Sequence, residues 1–470
     1  MKVSCVVLAA GLGKRMKSGL PKVLHKVCGI PMLRTVVDTV RGLDPHKIVV
    51  VVGGQRDLIR KTLNDDKVIY ASQGEAKGTA HALKCAMPEL RDFRGVVVVV
   101  NGDTPLLGAG TIKRLVSLHR KDGNAVSVLS FEAANPDNYG RILRDASGRV
   151  SAIVEHRDAG PEQIKIKEVN SGVYAINHEA LRILNRIRVN ASKGEFYLTD
   201  IVSETLKRGL KTAAYCMGSE EEFMGVNTRE ELLRASVIMK KRIVSGWMSK
   251  GVTFLDADSV CINPGVSIGR DTTIYPNVCL EGRTKIGERS MIYPNVRIQD
   301  SSIGNGAVIK DSTVIEDSEV KDGASVGPFA HIRPGSVIGE NVRIGNFVEV
   351  KKSAIGQGTK ASHLSYIGDA VVGKDVNIGA GTITCNYDGR EKHKTEIGDG
   401  VFVGSDTQLI APVRVGRGAF IGAGSTITES VPPMSLAVSR TKQTNIRDWA
   451  KKRQLKVKRE RSKAKGTDKK

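Results

Sequence analysis

Along the first part of the chain, apolar positions fall in short, nearly unbroken runs. Val3–Ala9, Ile48–Val52 and Val96–Val100 are rich in β-branched residues, as strands buried on both faces of a parallel sheet should be. Between them, Met32–Leu43 and Asp57–Asn64 carry helix-like spacing. This alternation predicts a Rossmann-like doubly wound α/β domain over residues 1–227, with ligands at the carboxyl ends of its strands. Residues 228–250 (TREELLRASVIMKKRIVSGWMSK) hold helix formers and mixed charge, and predict a linker helix.

From about residue 262 the pattern changes. Ile262, Ile268, Ile274, Leu280, Ile286, Ile292 and Ile298 recur every six residues. A five-residue step leads to Ile303, Ile309 and Ile315, and another to Val320, Val326, Ile332, Ile338, Ile344 and Val350. The series resumes at Ile397, Val403, Leu409, Val415, Ile421 and Ile427, often with Gly next in sequence. A period of six fits neither a helix nor a hairpin array. It fits a triangular parallel β-helix of hexapeptide repeats, each aliphatic residue pointing inward and three hexads making one coil. That domain is assigned to residues 251–440. The polar stretch Cys385–Glu396 (CNYDGREKHKTE) interrupts the hexads; in a solenoid it must loop out from a corner, where functional loops are found.

Composition sharpens this picture. At 470 residues the chain predicts at least two domains. Fifty glycines against 4% aromatics favour many tight turns over large aromatic cores. The seven cysteines are scattered without metal-ligand spacing, which predicts a reduced, cytoplasmic setting. The run Val3–Leu8 is too short for a signal peptide, and no apolar segment has membrane-spanning length. Of the net charge of +22, about +9 sits in the last twenty residues. That basic tail, 441–470, lacks the aromatics of a nucleic-acid surface apart from Trp449, and reads as a solvated end, disordered towards its terminus. Neither nucleic-acid binding nor membrane insertion is expected.

Candidate chemistry begins at Leu8-Ala-Ala-Gly-Leu-Gly-Lys-Arg-Met16, a glycine-rich loop directly after the first strand. Glycines there let backbone N–H groups approach phosphates. The spacing matches neither a Walker loop nor a dinucleotide fingerprint, and a plain strand–turn would look the same. Pro21-Lys22 adds a cation on the same rim, and Asn101-Gly102-Asp103 ends a buried strand with a carboxylate. A metal-bound triphosphate would sit there, although Asp103 also suits a turn before Pro105.

Together with Gln73, Gly78-Thr79-Ala80, Tyr139-Gly140-Arg141, Ile153-Val-Glu155, Val169-Asn170-Ser-Gly172, Glu195–Asp200 and Gly225-Val-Asn227, these motifs resemble the sugar-1-phosphate nucleotidyltransferases. With the hexads added, the chain resembles the bifunctional N-acetylglucosamine-1-phosphate uridylyltransferase/glucosamine-1-phosphate N-acetyltransferase family over roughly residues 3–450. The resemblance implies a left-handed β-helix, homotrimers, and synthesis of UDP-N-acetylglucosamine from glucosamine-1-phosphate, acetyl-CoA and UTP. It implies that Leu8, Ala9, Ala10, Gly11, Gln73, Gly78, Thr79, Asn101 and Gly102 line the nucleotide site, while Arg15 and Lys22 neutralise phosphates. Asp103 and Asn227 would bind Mg²⁺, and Gly140, Glu155 and Asn170 the N-acetylated sugar. Asn101 departs from the tyrosine often found before Gly-Asp in that family.

In the second half, Arg333 and Lys351 lie eighteen residues apart, one coil, and should stack on one face about 5 Å apart as a phosphate clamp. His363 follows near Tyr366. A lone histidine is usually structural; the family resemblance makes it the general base for acetyl transfer. The resemblance further assigns Arg333, Lys351, Tyr366, Asn377 and Lys392 to the sugar phosphate. It assigns Ala380, Asn386, Tyr387, Ser405, Ala423 and Arg440 to acetyl-CoA, with Arg440 and the following segment acting partly in trans between trimer subunits. Two rivals stand beside this reading: a single-activity nucleotidyltransferase with a structural or regulatory β-helix, and a basic scaffold or RNA-associated protein that needs neither site.

Overall fold

The computed structural model describes residues 2–11, 13–190 and 194–467, with side chains described to residue 461. The chain forms two compact units, Met1–Ile286 with Arg297–Asp300, and Gly287–Val296 with Ser301–Lys470.

The first unit is built on a mixed sheet. Its strands are β1 (Val3–Ala9), β2 (Ile48–Val52), β3 (Val68–Ser72), β4 (Val96–Asn101), β5 (Val126–Glu132), β6 (Arg141–Arg144), β7 (Val150–Val154), β8 (Glu168–Asn177) and β9 (Thr212–Cys216). Their order is β9-β5-β8-β4-β1-β2-β3, with the β6–β7 hairpin attached to β8. Strands β4, β1, β2 and β3 are mutually parallel, while β8 runs antiparallel to both β4 and β5. The chain leaves β1 towards β2 and β3, then returns to β4 on the other side, so β1/β4 is a topological switch point, where open α/β sheets bind ligands.

The unbroken apolar runs have a simple cause. Val96, Val98 and Val100 feed one core with helix α1 (Met32–Arg41), whereas Val97 and Val99 feed the opposite core with α3 (Thr79–Ala86). Between these helices lies α2 (Arg56–Leu63), and beyond them α4 (Ala109–Lys121), α5 (Asp200–Leu206) and α6 (Arg229–Met248). Helix α6 starts at a capping box: the Thr228 hydroxyl accepts from Glu231 N, and the Glu231 carboxylate accepts from Thr228 N. This unit also contains the first β-helix turns, where Thr253–Phe254 pairs with Thr273–Ile274 and Cys261–Ile262 with Cys279–Glu281.

In the second unit, three parallel sheets wrap a triangular prism. A first face includes Arg343–Asn346, Lys360–His363, Asn377–Ile378, Phe402–Val403 and Phe420–Ile421; a second includes His331–Ile332, Glu349–Lys351, Tyr366–Gly368 and Ile383–Cys385; a third includes Val337–Ile338, Ala354–Ile355, Ala370–Val372 and Thr395–Ile397. Each strand turns one aliphatic residue inward, so Ile332, Ile338 and Ile344 are all within 1% of full burial. Buried hydroxyls serve the corners, as where Ser336 Oγ donates to the Arg333 carbonyl at 2.7 Å, leaving few backbone groups unpaired.

The structure fills the break in the hexad series between Val350 and Ile397. Ile355, Ala361, Ile367, Val372 and Ile378 are buried there, and Thr384 takes the next inward place, with its hydroxyl bonded to the Gly368 backbone. Five-residue steps, a small Ala and a polar Thr hide this stretch from an aliphatic count. Beyond the prism, Trp449–Thr467 is a helix whose residues are exposed as far as side chains are described. The disordered end expected for the tail falls on residues 468–470, which lie outside the described residues.

Candidate active sites

The first site lies at the carboxyl ends of β1 and β4, where Leu8 is the register partner of Asn101. A cavity of about 590 Å³ is lined by Leu8, Ala9, Ala10, Gly11, Lys14, Lys22, Gln73, Gly78, Thr79, Asn101, Asp103 and Glu155, among others. A second pocket of about 240 Å³ shares Leu8, Thr79, Asn101, Asp103 and Glu155 and adds Tyr139, Gly140, Asn170 and Asn227. Nearly every residue assigned to this half therefore converges on one cleft. Gly102 does not line it; its N–H donates to the Leu8 carbonyl at 2.8 Å and ties the two strand ends together. Arg15 is exposed on the loop, and Lys14 lines the cavity in its place.

Local geometry explains these positions. Gly13 has φ +60°, and a Cβ there would lie 2.6 Å from Lys22 Cβ, so only glycine lets the loop close on Lys22. The Lys22 ammonium forms an ion pair with Asp103 and donates to Asn227 Oδ1 at 2.9 Å. Two anchors hold Asn227 there: Val226 N donates to the Asp103 carbonyl, and Asn227 N donates to the Glu231 carboxylate at the start of α6. Asp103 and Asn227 thus present two oxygens to one cation. A carboxylate and an amide oxygen, with phosphates and water completing the shell, suit Mg²⁺. No cluster of three or more His, Cys, Asp or Glu with metal geometry occurs among the described residues.

The smaller pocket is shaped by groups that carried no assigned role. The Arg141 side chain is fully buried and donates to the Pro136 and Tyr139 carbonyls at 2.7 and 2.5 Å, fixing the backbone that leads into Gly140. Phe131 packs edge-on to Tyr139 and stacks on Phe223. Asn170 Nδ2 donates to Tyr174 Oη at 2.9 Å, and burial keeps that phenol protonated far above its ordinary range. Thr199 Oγ1 donates to Glu155 Oε1 at 3.2 Å. Tyr139 and Thr199 sat inside recognised motifs, which was the available signal. Arg141 also sat in one, but its burial was not visible in sequence.

The second site lies on the second face of the prism and its corner with the first. Arg333 Nη1 pairs with Glu349 at 2.8 Å, and Glu349 is the register partner of Tyr366. Lys351 and Lys392 lie side by side, and the close side-chain contact with Lys351, with its charge adding to it, lowers the Lys392 ammonium below its usual range. Asn386 Nδ2 donates to Asp369 at 2.5 Å and reaches Tyr366 Oη at 3.5 Å. The stretch after Cys385 closes on itself through a Tyr387–Lys392 bridge. In it, Asp388 accepts from Arg390 N, Glu391 N and His393, which hold its carboxyl far below the ordinary range.

His363 ends the strand Lys360–His363 at the adjoining corner, with Nδ1 2.9 Å from Asn346 Oδ1. The corner continues as a ladder: Gly381 N donates to Leu364 O, Asp406 N to Ala380 O, and Gly424 N to Ser405 O. Arg440 Nη1 tops it, donating to Ala423 O at 2.6 Å. Four of the six residues assigned to acetyl-CoA therefore climb one corner from His363. Asn377 lies on the first face, between Lys360 and Phe402 in the ladder, away from the lysine pair.

Residues 5–160 match the MobA-like NTP transferase domain, 318–388 the GMPPB C-terminal domain, and 394–429 the bacterial transferase hexapeptide (six repeats). The chain is 51% identical to the bifunctional protein GlmU of Thermodesulfovibrio yellowstonii, over 95% of this chain and 99% of that protein. It is 48% identical to the same-named protein of Shouchella clausii and 46% to that of Pelobacter propionicus, each alignment covering 95% of this chain and 98% of the relative. The chain belongs to the bifunctional GlmU family: it is a transferase with a nucleotidyltransferase domain and a left-handed β-helix, pairing glucosamine-1-phosphate acetyltransferase with N-acetylglucosamine-1-phosphate uridylyltransferase activity.

Proposed function

We propose that His363 takes the proton from the glucosamine-1-phosphate nitrogen as that nitrogen attacks the acetyl-CoA thioester, and that the cleft around Lys22 then carries uridylyl transfer. The arrangement of His363 and Asn346 supports the first step. With Asn346 Oδ1 as acceptor, Nδ1 holds its proton and Nε2 offers a lone pair. The amine attacks the carbonyl carbon, Nε2 receives the proton, and coenzyme A leaves as its thiolate. Lys351 and Lys392 bind the sugar phosphate dianion, which relieves their mutual repulsion, and Arg333 and Tyr366 flank it. Ala380, Ser405, Ala423 and Arg440 line a corner long enough for an extended coenzyme, with Asn386 and Tyr387 at its start and Asn377 on the adjoining first face.

In the front cleft, the larger cavity takes UTP and the smaller one N-acetylglucosamine-1-phosphate. The acceptor is already a phosphate oxyanion, so no general base is needed. It attacks the α-phosphorus in line and pyrophosphate leaves, with positioning and charge neutralisation lowering the barrier. Mg²⁺ held by Asp103 and Asn227 would neutralise phosphate charge. Lys22 and Lys14 contribute from the protein side, with Arg15 able to swing in from the exposed loop.

A homotrimer is supported by apolar side chains left on the outside of the prism: Phe329 stacks on Phe347 and Phe402 on Phe420, each ring between 43% and 56% exposed. No described helix is long and apolar enough to cross a membrane, in keeping with a cytoplasmic enzyme. Supplying glucosamine-1-phosphate, acetyl-CoA, UTP and Mg²⁺ tests the whole reading. It requires release of both coenzyme A and pyrophosphate; pyrophosphate release only from a preformed acetylated sugar would leave the β-helix structural.

A further inference from the structure

The known chemistry leaves a pair of cysteines in the first coils unused. Cys261 and Cys279 are register partners on adjacent parallel strands, and the next residues, Ile262 and Leu280, are both buried in the core. Alternation therefore sends both thiols outward on one face, side by side. Cys261 is exposed and Cys279 half-buried, and each thiol perturbs the ionisation of the other. Strand neighbours lie about 4.8 Å apart, inside the range of about 4.4–6.8 Å that Cα atoms span across a disulfide.

We propose that Cys261 and Cys279 form a reversible, peroxide-oxidisable dithiol that closes a disulfide between adjacent coils. The neighbouring Cys279 thiol, acting as a donor, and the nearby Lys240 ammonium favour the Cys261 thiolate, whose pKa is pushed down to about 7, against burial and the Glu281 carboxylate. Cys279 keeps the shared proton and is pushed far up. The nucleophile and the resolving thiol are thereby distinguished.

In the first step the Cys261 sulfur attacks hydrogen peroxide. An S–O bond forms, the O–O bond breaks, and the leaving hydroxide takes a proton to become water. The Cys279 sulfur then attacks the Cys261 sulfur; the S–S bond forms, the S–O bond breaks, and a second water leaves with the Cys279 proton. Two thiols are oxidised and one peroxide is reduced. A third thiol, Cys28, interacts electrostatically with Cys261 but donates to the Ser236 carbonyl at 3.4 Å and is pushed up to about 11 by burial. It therefore stays protonated as a spectator.

Peptide mass spectrometry of the full chain after hydrogen peroxide treatment tests the assignment. The expected product joins the Cys261 and Cys279 peptides through a bond that dithiothreitol reverses. At neutral pH, iodoacetamide should label Cys261 at least about tenfold faster than Cys279, the direction set by thiolate fraction. Cys279→Ser should stop the reaction at a Cys261 sulfenic acid captured by dimedone, and Cys261→Ser should leave Cys279 a free thiol. Recovery of both cysteines as free thiols after peroxide, or a Cys28–Cys261 link, would overturn the proposal.

Discussion

His363 and Asn346 are Cα partners on adjacent coils, and their side chains meet at 2.9 Å between Nδ1 and Oδ1. The contact orients the ring that serves as the proposed base. Its neighbour Gly345 allows the coils to meet there, since a Cβ at that position would lie 1.8 Å from the Ser362 carbonyl oxygen.

Replacing Asn346 with Ala should lower acetyl transfer about ten- to hundred-fold, the scale of losing an orienting partner. His363→Ala should cost about 10²–10⁴. Separate assays of coenzyme A and pyrophosphate release read the result, and uridylyl transfer should be unchanged in both variants. Full acetylation by Asn346→Ala would mean that the ring is oriented by something else.

The opposite separation applies to the front site. Asp103→Asn should reduce uridylyl transfer by about 10²–10³ or more, because it removes charge stabilisation and loosens the Lys22 contact. Acetylation should remain near normal. A folded Asp103→Asn variant that had lost both activities would refute the division of labour.

The lysine pair makes the second site sensitive to pH. The Lys392 ammonium is held below its usual range by Lys351, so it loses its charge earlier than an ordinary lysine as pH rises. A bound phosphate dianion favours the charged form. Sugar-phosphate affinity should therefore be full at neutral pH and fall as pH climbs through the lowered Lys392 value, seen as a rising KM. In Lys351→Met, binding is weaker at neutral pH, but its decline should move to higher pH. A decline at the same pH in both proteins would disconnect the two lysines.

Acid should loosen the stretch between Asn386 and Lys392. Asp388 is ionised well below the ordinary aspartate range because it accepts from two backbone amides and His393. A lowered carboxyl stabilises the fold above its unfolded value and loses that contribution as pH falls through the folded one. Asp388→Asn should raise the KM for acetyl-CoA several-fold at neutral pH, with little change in melting temperature. An unchanged KM would show that this turn holds its shape without the carboxylate.

Arg440 bonds to Ala423 at the corner of its own chain, and with the segment after it is expected to act partly in trans at a neighbouring subunit's site. Mixing His363→Ala subunits with subunits truncated after Arg440 should partly restore acetylation if that segment completes the neighbour's site. Without restoration, the corner from His363 to Arg440 is self-contained.

Local pattern alone was enough for the class of each domain. Strand runs buried on both faces and a period of six are properties of consecutive residues, and so is a glycine loop placed straight after a strand. The pairings were not legible in the same way. Asn227 reaches Lys22 across 205 positions of sequence because Val226 and Glu231 clamp its backbone, and the burial of Arg141 depends on the Pro136, Tyr139 and Ile164 carbonyls that the fold brings around it. In the β-helix, eighteen-residue counting places Lys351 one coil beyond Arg333, but His363 follows Asn346 by seventeen, since a five-residue step shortens that coil. Hexad period is set by each turn's own backbone, whereas the side chains that touch depend on the summed length of every turn between them, and tertiary structure alone decides that.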